Sequence, residues 1–165
     1  MTQPKLTIAR EPLDYFLLGV TAFALLLMLG LIVYYYDLLP ERIPTHFNLR
    51  GEPDDYGRKS TLWFVFGIAA LLLLVLEFFT RRPHWGNYTV PITEGNAARQ
   101  YRNMQRMTRT LLAVVSLFFA YITFAIIQTA LDHRDGLSAW IALLFVVGII
   151  GVIGYFLARA KIMER

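Results

Sequence analysis

Polar and charged side chains of the kinds that bind ligands gather in one segment of the chain, residues 37–60. They are His46, Asn48, Glu52, Asp54 and Asp55. An imidazole with carboxylates can hold a cation or a cationic peptide. The spacing matches no standard metal pattern, so a metal is not predicted. We treat His46, Asn48, Glu52 and Asp54 as candidate ligand-binding residues.

The same residues also fit a purely structural role. The side chains of His46 and Asn48 can satisfy backbone groups of turns, and Asp54 can cap a turn. We expect the structural role for Asn48. His46 and Asp54 are the favoured functional pair, because a ring nitrogen and a carboxylate offer complementary donor and acceptor chemistry.

Two other sets of charges lie near apolar segments. Glu77 interrupts the apolar run 62–79, and an ionisable group in such a run indicates either a proton or substrate role or pairing with Arg81 one turn later. A stripe of arginines at helical spacing precedes the run 111–131, and it predicts an amphipathic helix that contacts lipid headgroups or a protein partner. The stripe consists of Arg99, Arg102, Arg106 and Arg109.

Catalytic signatures are absent from the sequence. It contains no G-x-S-x-G, H-E-x-x-H, phosphate-binding loop or dinucleotide fingerprint, and no cysteine. The net charge of +4 is not gathered on a water-facing domain of the kind that binds nucleic acid. We therefore predict no enzymatic activity, no cofactor and no nucleic-acid partner.

Composition decides the fold class. Apolar residues make up 56% of the 165-residue chain and charged residues only 17%. Four runs approach or exceed the roughly 20 residues needed to cross a bilayer: 15–35, 62–79, 111–131 and 138–158. The sequence predicts one all-α, four-helix membrane domain over residues 1–165, with an outer loop at 37–60 and an inner loop at 80–110.

The distribution of basic residues predicts the orientation. Eleven Lys and Arg residues fall in the N-terminal, 80–110 and C-terminal segments, against five in the other two loops. Because basic residues resist translocation, both termini are predicted to be cytoplasmic. We expect a multi-pass protein of a bacterial inner membrane.

Local sequence also predicts how the loop and the helices pack. Three prolines and two glycines in the outer loop indicate consecutive tight turns rather than helix or strand. Ile43, Phe47 and Leu49 should cover the ends of the helices. Small residues are expected to form the contact between the third and fourth helices. They are Ala113, Ser116, Ala120, Thr123 and Ala130 on the third, and Gly148, Gly151, Gly154 and Ala158 on the fourth.

Two strings in the loops carry a family resemblance. The outer-loop string L-P-x-R-I-P-T-H-F-N-x-x-G-E-P-D-x-Y-G-x-K, residues 39–59, resembles the signature of the bacterial membrane family "domain of unknown function 1648". That domain also forms the N-terminal half of SdpI-type immunity proteins. The inner-loop string N-Y-T-V-P-I-T-E-G-N-A-A-R-Q-Y, residues 87–101, is similar to the family's second signature.

The resemblance implies a membrane architecture and no assigned chemistry. SdpI-type proteins act in immunity to a peptide toxin and in signalling to a repressor, and their C-terminal portion carries further helices, whereas one predicted helix follows residue 137 here. The prediction is a non-catalytic membrane protein whose outer loop binds a ligand or peptide, or which stabilises a membrane assembly. A small oligomeric transporter, or an accessory subunit of one, is the alternative.

Overall fold

Four long helices and one small β-hairpin make up the described part of the chain. The computed structural model describes residues 3–164. In chain order the elements are α1 (Pro12–Tyr35), β1 (Arg42–Phe47), β2 (Pro53–Arg58), α2 (Thr61–Thr80), a 3₁₀ turn (Pro83–Trp85), α3 (Ala97–Ala130) and α4 (Ala139–Ile162). All four α-helices are long and apolar enough to cross a membrane. The predicted fold class is confirmed.

The central helix is α3, which contacts every other long helix and β1. It is one continuous helix of 34 residues, so the predicted basic helix and the third apolar run are a single element. Its first residue is Ala97. Asn96 is the N-cap residue, and Asn96 and Thr93 exchange hydrogen bonds between side chain and backbone.

The helices alternate in direction, which gives the bundle two ends. The hairpin end consists of β1, β2 and the α3–α4 link at residues 131–138. The terminal end consists of residues 3–11, residues 81–96 and the last turn of α4. Apolar side chains of α1, α2, α3 and the hairpin fill the core toward the hairpin end, with Met28, Ile32, Ile43 and Ile127 almost fully buried.

The predicted small-residue contact face is buried on α3 but not on α4. Ala113, Ser116, Ala120 and Thr123 are buried, as predicted, but the most extensive contact of α3 is with α1. On α4, Gly151 and Gly154 are exposed. Apart from the nearby backbone of α4, a Cβ added at either glycine would have no atom of residues 3–164 within 4 Å.

Larger side chains determine how α4 meets α3. The rings of Phe118 and Phe145 stack with centroids 3.8 Å apart. Gln100 and Asn103 donate hydrogen bonds to the Ala160 and Phe156 carbonyls, at 2.8 and 2.9 Å. These contacts orient α4 so that its glycine face points away from α3, and the prediction that this face meets α3 was wrong.

Candidate functional site

The charged groups of the terminal end form a network around Glu77. This carboxylate lies 2.5 Å from Arg10, 3.3 Å from Arg109 and 3.7 Å from Arg81, and it accepts a hydrogen bond from Thr80. Only 12% of its side chain is exposed. The predicted pairing with Arg81 is confirmed, but Arg10 and Arg109 approach Glu77 more closely. Glu77 thus links the segment before α1 to α2 and α3.

Asp14 is the second carboxylate of this network. Its Oδ2 accepts the Glu11 backbone N–H at 2.8 Å, which caps the first turn of α1. Its Oδ1 accepts a hydrogen bond from Arg109 Nη1, also at 2.8 Å. Asp14 and Arg109 are 3% and 2% exposed. One carboxylate therefore stabilises the helix start and compensates a buried guanidinium.

The arginine stripe of α3 faces α1 for much of its length. Arg102 and Arg106 both form ion pairs with Glu11, and Arg109 pairs with Asp14 and Glu77. The prediction of lipid or partner contact is wrong for Arg109, because its side chain is enclosed within the bundle. For Arg99, Arg102 and Arg106 it stays a prediction.

Amide side chains of α3 complete the terminal end. Gln105 donates to the Thr80 carbonyl at 2.7 Å, which satisfies an acceptor in the last turn of α2. Tyr101 donates its hydroxyl proton to the Pro4 carbonyl. Outside the helices, the Tyr88 hydroxyl donates to the Pro83 carbonyl, and burial raises the pKa of Tyr88. Tyr88 therefore remains a neutral donor.

At the opposite end of the bundle, the loop predicted to be a series of turns is an antiparallel hairpin. Ile43 pairs with Gly57, and Pro44 with Tyr56. The prediction of turns alone was wrong because prolines are tolerated at the first residue of a strand and in strands with an unpaired edge. Pro53 begins β2, and Pro44 lies in a sheet of only two strands.

Asn48 shapes the turn between the strands. Its Oδ1 accepts the N–H groups of Arg50 and Glu52, and its Nδ2 donates to the Glu52 carboxylate at 2.9 Å. The backbone N–H of Asn48 also donates to the Glu52 carbonyl. The side chains of Asn48 and Glu52 are thus used within the turn, and the contacts agree with the structural role expected for Asn48.

The turn is fixed to the α3–α4 link by close backbone contact. The Leu137 N–H donates to the Gly51 carbonyl at 2.8 Å. Gly51 has φ +84°, and a Cβ there would lie 1.8 Å from the Leu137 carbonyl oxygen. Gly136, with φ +147°, would clash with the Gly51 carbonyl in the same way. Only glycine suits both positions.

The apolar side of the hairpin packs onto the helices. Ile43 is 1% exposed, and Phe47 packs at the edge of the same core cluster, so the predicted cover over the helix ends is confirmed for both. Leu49 is fully exposed at the tip, and its predicted packing was wrong. The hairpin is therefore held to the bundle at two places, through Ile43 and through Gly51.

His46 and Asp54 lie on the solvent-exposed side of this fixed hairpin. His46 Nδ1 is 2.5 Å from Asp54 Oδ1, and the two side chains are 67% and 44% exposed. A shallow depression beside them is lined by Arg42, Asp54, Asp55 and Tyr56. Within residues 3–164, no three His, Asp or Glu side chains cluster as a metal site would require. The surface is open and presents two carboxylates, one guanidinium group and an aromatic ring beside the His46 imidazole.

The hairpin and the helices on either side of it are similar to a known protein family. Residues 23–73 match the model of the family described as Domain of unknown function (DUF1648). The similarity to this family is shown for that segment. The match spans the second half of α1, the hairpin and the first part of α2, and it confirms the resemblance predicted from the 39–59 string. The second string, residues 87–101, lies outside the matched segment.

One relative extends the similarity beyond the DUF1648 segment. An uncharacterized protein of the archaeon Archaeoglobus fulgidus is 29% identical over 144 residues, which cover 79% of this chain and 78% of the relative. No solved structure matches the chain significantly. The relative's description assigns no activity, so the geometry carries the functional argument.

Sequence reasoning missed the acidic partners of the arginines. Glu11 and Asp14 were not singled out, although both lie at the start of an apolar run. A signal was present, because ionisable side chains that several membrane helices place at the same depth tend to pair with one another. Antiparallel helices place the start of α1, the end of α2 and Arg109 at one depth.

Proposed function

We propose that this DUF1648-containing chain is a non-catalytic integral membrane protein that binds a peptide or ligand on its hairpin, outside the cytoplasm. In the proposed orientation both termini lie in the cytoplasm of a bacterial cell, and the hairpin end faces outward. The excess of basic residues in the segments of the terminal end supports this orientation.

The observation that carries the proposal is the exposure of His46 and Asp54 on an immobilised hairpin. The fold is held by Ile43, Gly51 and Asn48, none of which needs the His46–Asp54 pair. An exposed pair contributes at most about 1 kcal/mol to stability. A rigid support reduces the entropy cost of binding, because the recognising groups are already ordered.

The surface chemistry indicates the class of ligand. Asp54 and Asp55 lie beside Tyr56, with the His46 ring across the strands. Carboxylates next to an aromatic ring suit a basic side chain. The strands of a two-stranded sheet also have unpaired edges, to which an extended peptide can add. A peptide with basic residues fits both features, whether it is free or part of a membrane partner.

Two other roles, SdpI-type immunity and transport, can be compared with this proposal. Recognition of a peptide agrees with the resemblance to SdpI-type immunity proteins. The alternative role, a small oligomeric transporter or an accessory subunit, requires a polar route across the bilayer. In residues 3–164 the ion pairs of the helices cluster at the terminal end, while the core cluster toward the hairpin end is apolar. This arrangement favours binding.

Site-specific photo-crosslinking in intact cells tests the proposal. A photoreactive phenylalanine analogue at position 56 replaces an exposed aromatic residue within the recognition surface. The same analogue at position 49, fully exposed at the hairpin tip, is the matched control. We expect a discrete cross-linked product from position 56 alone. Equal products from both positions, or none from either, would contradict the proposal.

A further inference from the structure

A groove of about 800 Å³ runs between α1 and α2 near the terminal end. Its apolar wall comes from both helices: Leu18 and Ala22 on α1, and Leu73, Leu74 and Phe78 on α2. Leu74 and Phe78 are exposed, at 67% and 46%. α1 packs mainly on α3, so α1 and α2 are left apart here and the groove opens at the apolar surface of the bundle.

Charged side chains line one end of this groove. They are Arg10, Arg81, Arg82 and Glu77, three guanidinium groups against one carboxylate. Glu77 has its closest contacts with Arg10, Thr80 and Arg109. Arg81, 65% exposed and 3.7 Å from Glu77, therefore shares this carboxylate with two closer arginines. Arg82 lies over the rings of Phe78 and Trp85, at 3.9 and 5.1 Å.

This combination fits an anionic phospholipid better than other occupants. The arginines directly follow the apolar run of α2, which places them at the depth of lipid headgroups. Basic pockets between membrane helices bind anionic headgroups. A purely apolar partner helix would leave the three arginines at this end with only the shared Glu77 carboxylate, and a soluble anion would leave the apolar wall uncovered.

We propose that the α1–α2 groove binds an anionic phospholipid, with the phosphate held by Arg81 and Arg82 and one acyl chain lying along Ala22 and Leu73. These arginines differ from the α3 stripe that the sequence singled out. The site lies at the end of the bundle opposite the hairpin, so it does not depend on the proposed peptide binding.

Trp85 lies beside the charged end of the groove and provides a reporter of lipid bound there. Its ring lies against Arg82 and 6.3 Å from Phe78. The other two tryptophans, Trp63 and Trp140, are at the hairpin end, and Trp63→Phe with Trp140→Phe leaves Trp85 as the single fluorophore. This variant is placed in bilayers in which either phosphatidylglycerol or phosphatidylcholine carries brominated, quenching acyl chains.

We expect brominated phosphatidylglycerol to quench Trp85 more strongly than brominated phosphatidylcholine. Each basic residue near an anionic headgroup contributes about 1 kcal/mol, which corresponds to a preference of roughly fivefold. Arg81→Gln should reduce the preference by about that factor. Arg58→Gln, on the exposed β2 strand at the opposite end, is the matched control and should leave it unchanged.

Filling the groove tests the acyl-chain contact separately. Ala22→Leu should reduce the preference for brominated phosphatidylglycerol, whereas Ala158→Leu, an exposed position on α4, should not. Equal quenching by the two lipids in the parent chain would overturn the proposal. A preference that survives either Arg81→Gln or Ala22→Leu would also overturn it, since the anionic lipid would then be bound elsewhere.

Discussion

Arg109 Nη1 lies 2.8 Å from Asp14 Oδ1, with both side chains buried where α3 meets the first turn of α1. Arg109→Met would leave Asp14 buried without its cation and would also remove a partner of Glu77. Breaking a buried pair from one side costs about 3–5 kcal/mol. We expect a loss of that size in the free energy of unfolding in detergent.

A double variant separates the ion pair from simple loss of packing. Adding Asp14→Asn to Arg109→Met removes the orphaned negative charge and keeps an oxygen that can accept the Glu11 N–H, so part of the lost stability should return. Arg58→Met, at an exposed position on β2, should change stability little. If the double variant is less stable than Arg109→Met alone, the Asp14 carboxylate is not the group that Arg109 compensates.

Gly51→Ala should release the hairpin from the α3–α4 link. The new Cβ would lie 1.8 Å from the Leu137 carbonyl oxygen, and the φ of +84° disfavours any side chain. We expect faster tryptic cleavage after Arg50, which the Gly51–Leu137 contact protects. Gly95→Ala is the control, since its Cβ would meet only Thr93 Oγ1, at 3.9 Å. Equal cleavage rates in both variants would show that the turn is not held at Gly51.

Asn48→Ala should destabilise the hairpin through its turn. The substitution removes two hydrogen bonds from backbone N–H groups to Oδ1 and one from Nδ2 to Glu52. Each such bond contributes about 0.5–1.5 kcal/mol. We expect thermal unfolding of the purified protein to show a loss of about 1–3 kcal/mol. Leu49→Ala, one residue away and fully exposed, should have little effect.

Local composition was enough to predict the four helices. Residues 15–35, 62–79, 111–131 and 138–158 each lie within a helix or extend no more than one residue beyond it. Membrane helices satisfy their backbone hydrogen bonds within one segment, so a single run of apolar residues specifies each helix. Which helices pack together was harder to predict. The glycines of α4 indicate a face suited to close packing, but they do not indicate which helix contacts that face.

The hairpin and the charged network depend on residues distant in sequence. Arg42 pairs with Arg58 across β1 and β2. The prolines of this loop indicated turns, but they occupy strand positions where no backbone N–H has to donate a hydrogen bond. Asp14 and Arg109 are 95 residues apart and meet only because α1 and α3 are neighbours. His46 and Asp54 could be selected from side-chain chemistry alone, but their 2.5 Å contact depends on the strand register.

Reporter fusions test the orientation. A reporter after Asp55 should indicate the outside of the cell, and reporters after Asn96 and at the C-terminus should indicate the cytoplasm. A cytoplasmic signal from the Asp55 fusion would place the hairpin in the cytoplasm. Recognition of an external peptide would then be excluded.

The most direct test of hairpin binding is the cross-linking yield at position 56 in a chain carrying His46→Asn and Asp54→Asn. Both side chains are exposed, so unfolding stability should change by no more than about 1 kcal/mol. Losing hydrogen bonds to a charged group costs a ligand about 1.5–3 kcal/mol, and we therefore predict that the yield falls by roughly tenfold or more at limiting ligand. An undiminished yield from the folded variant would contradict binding by this pair.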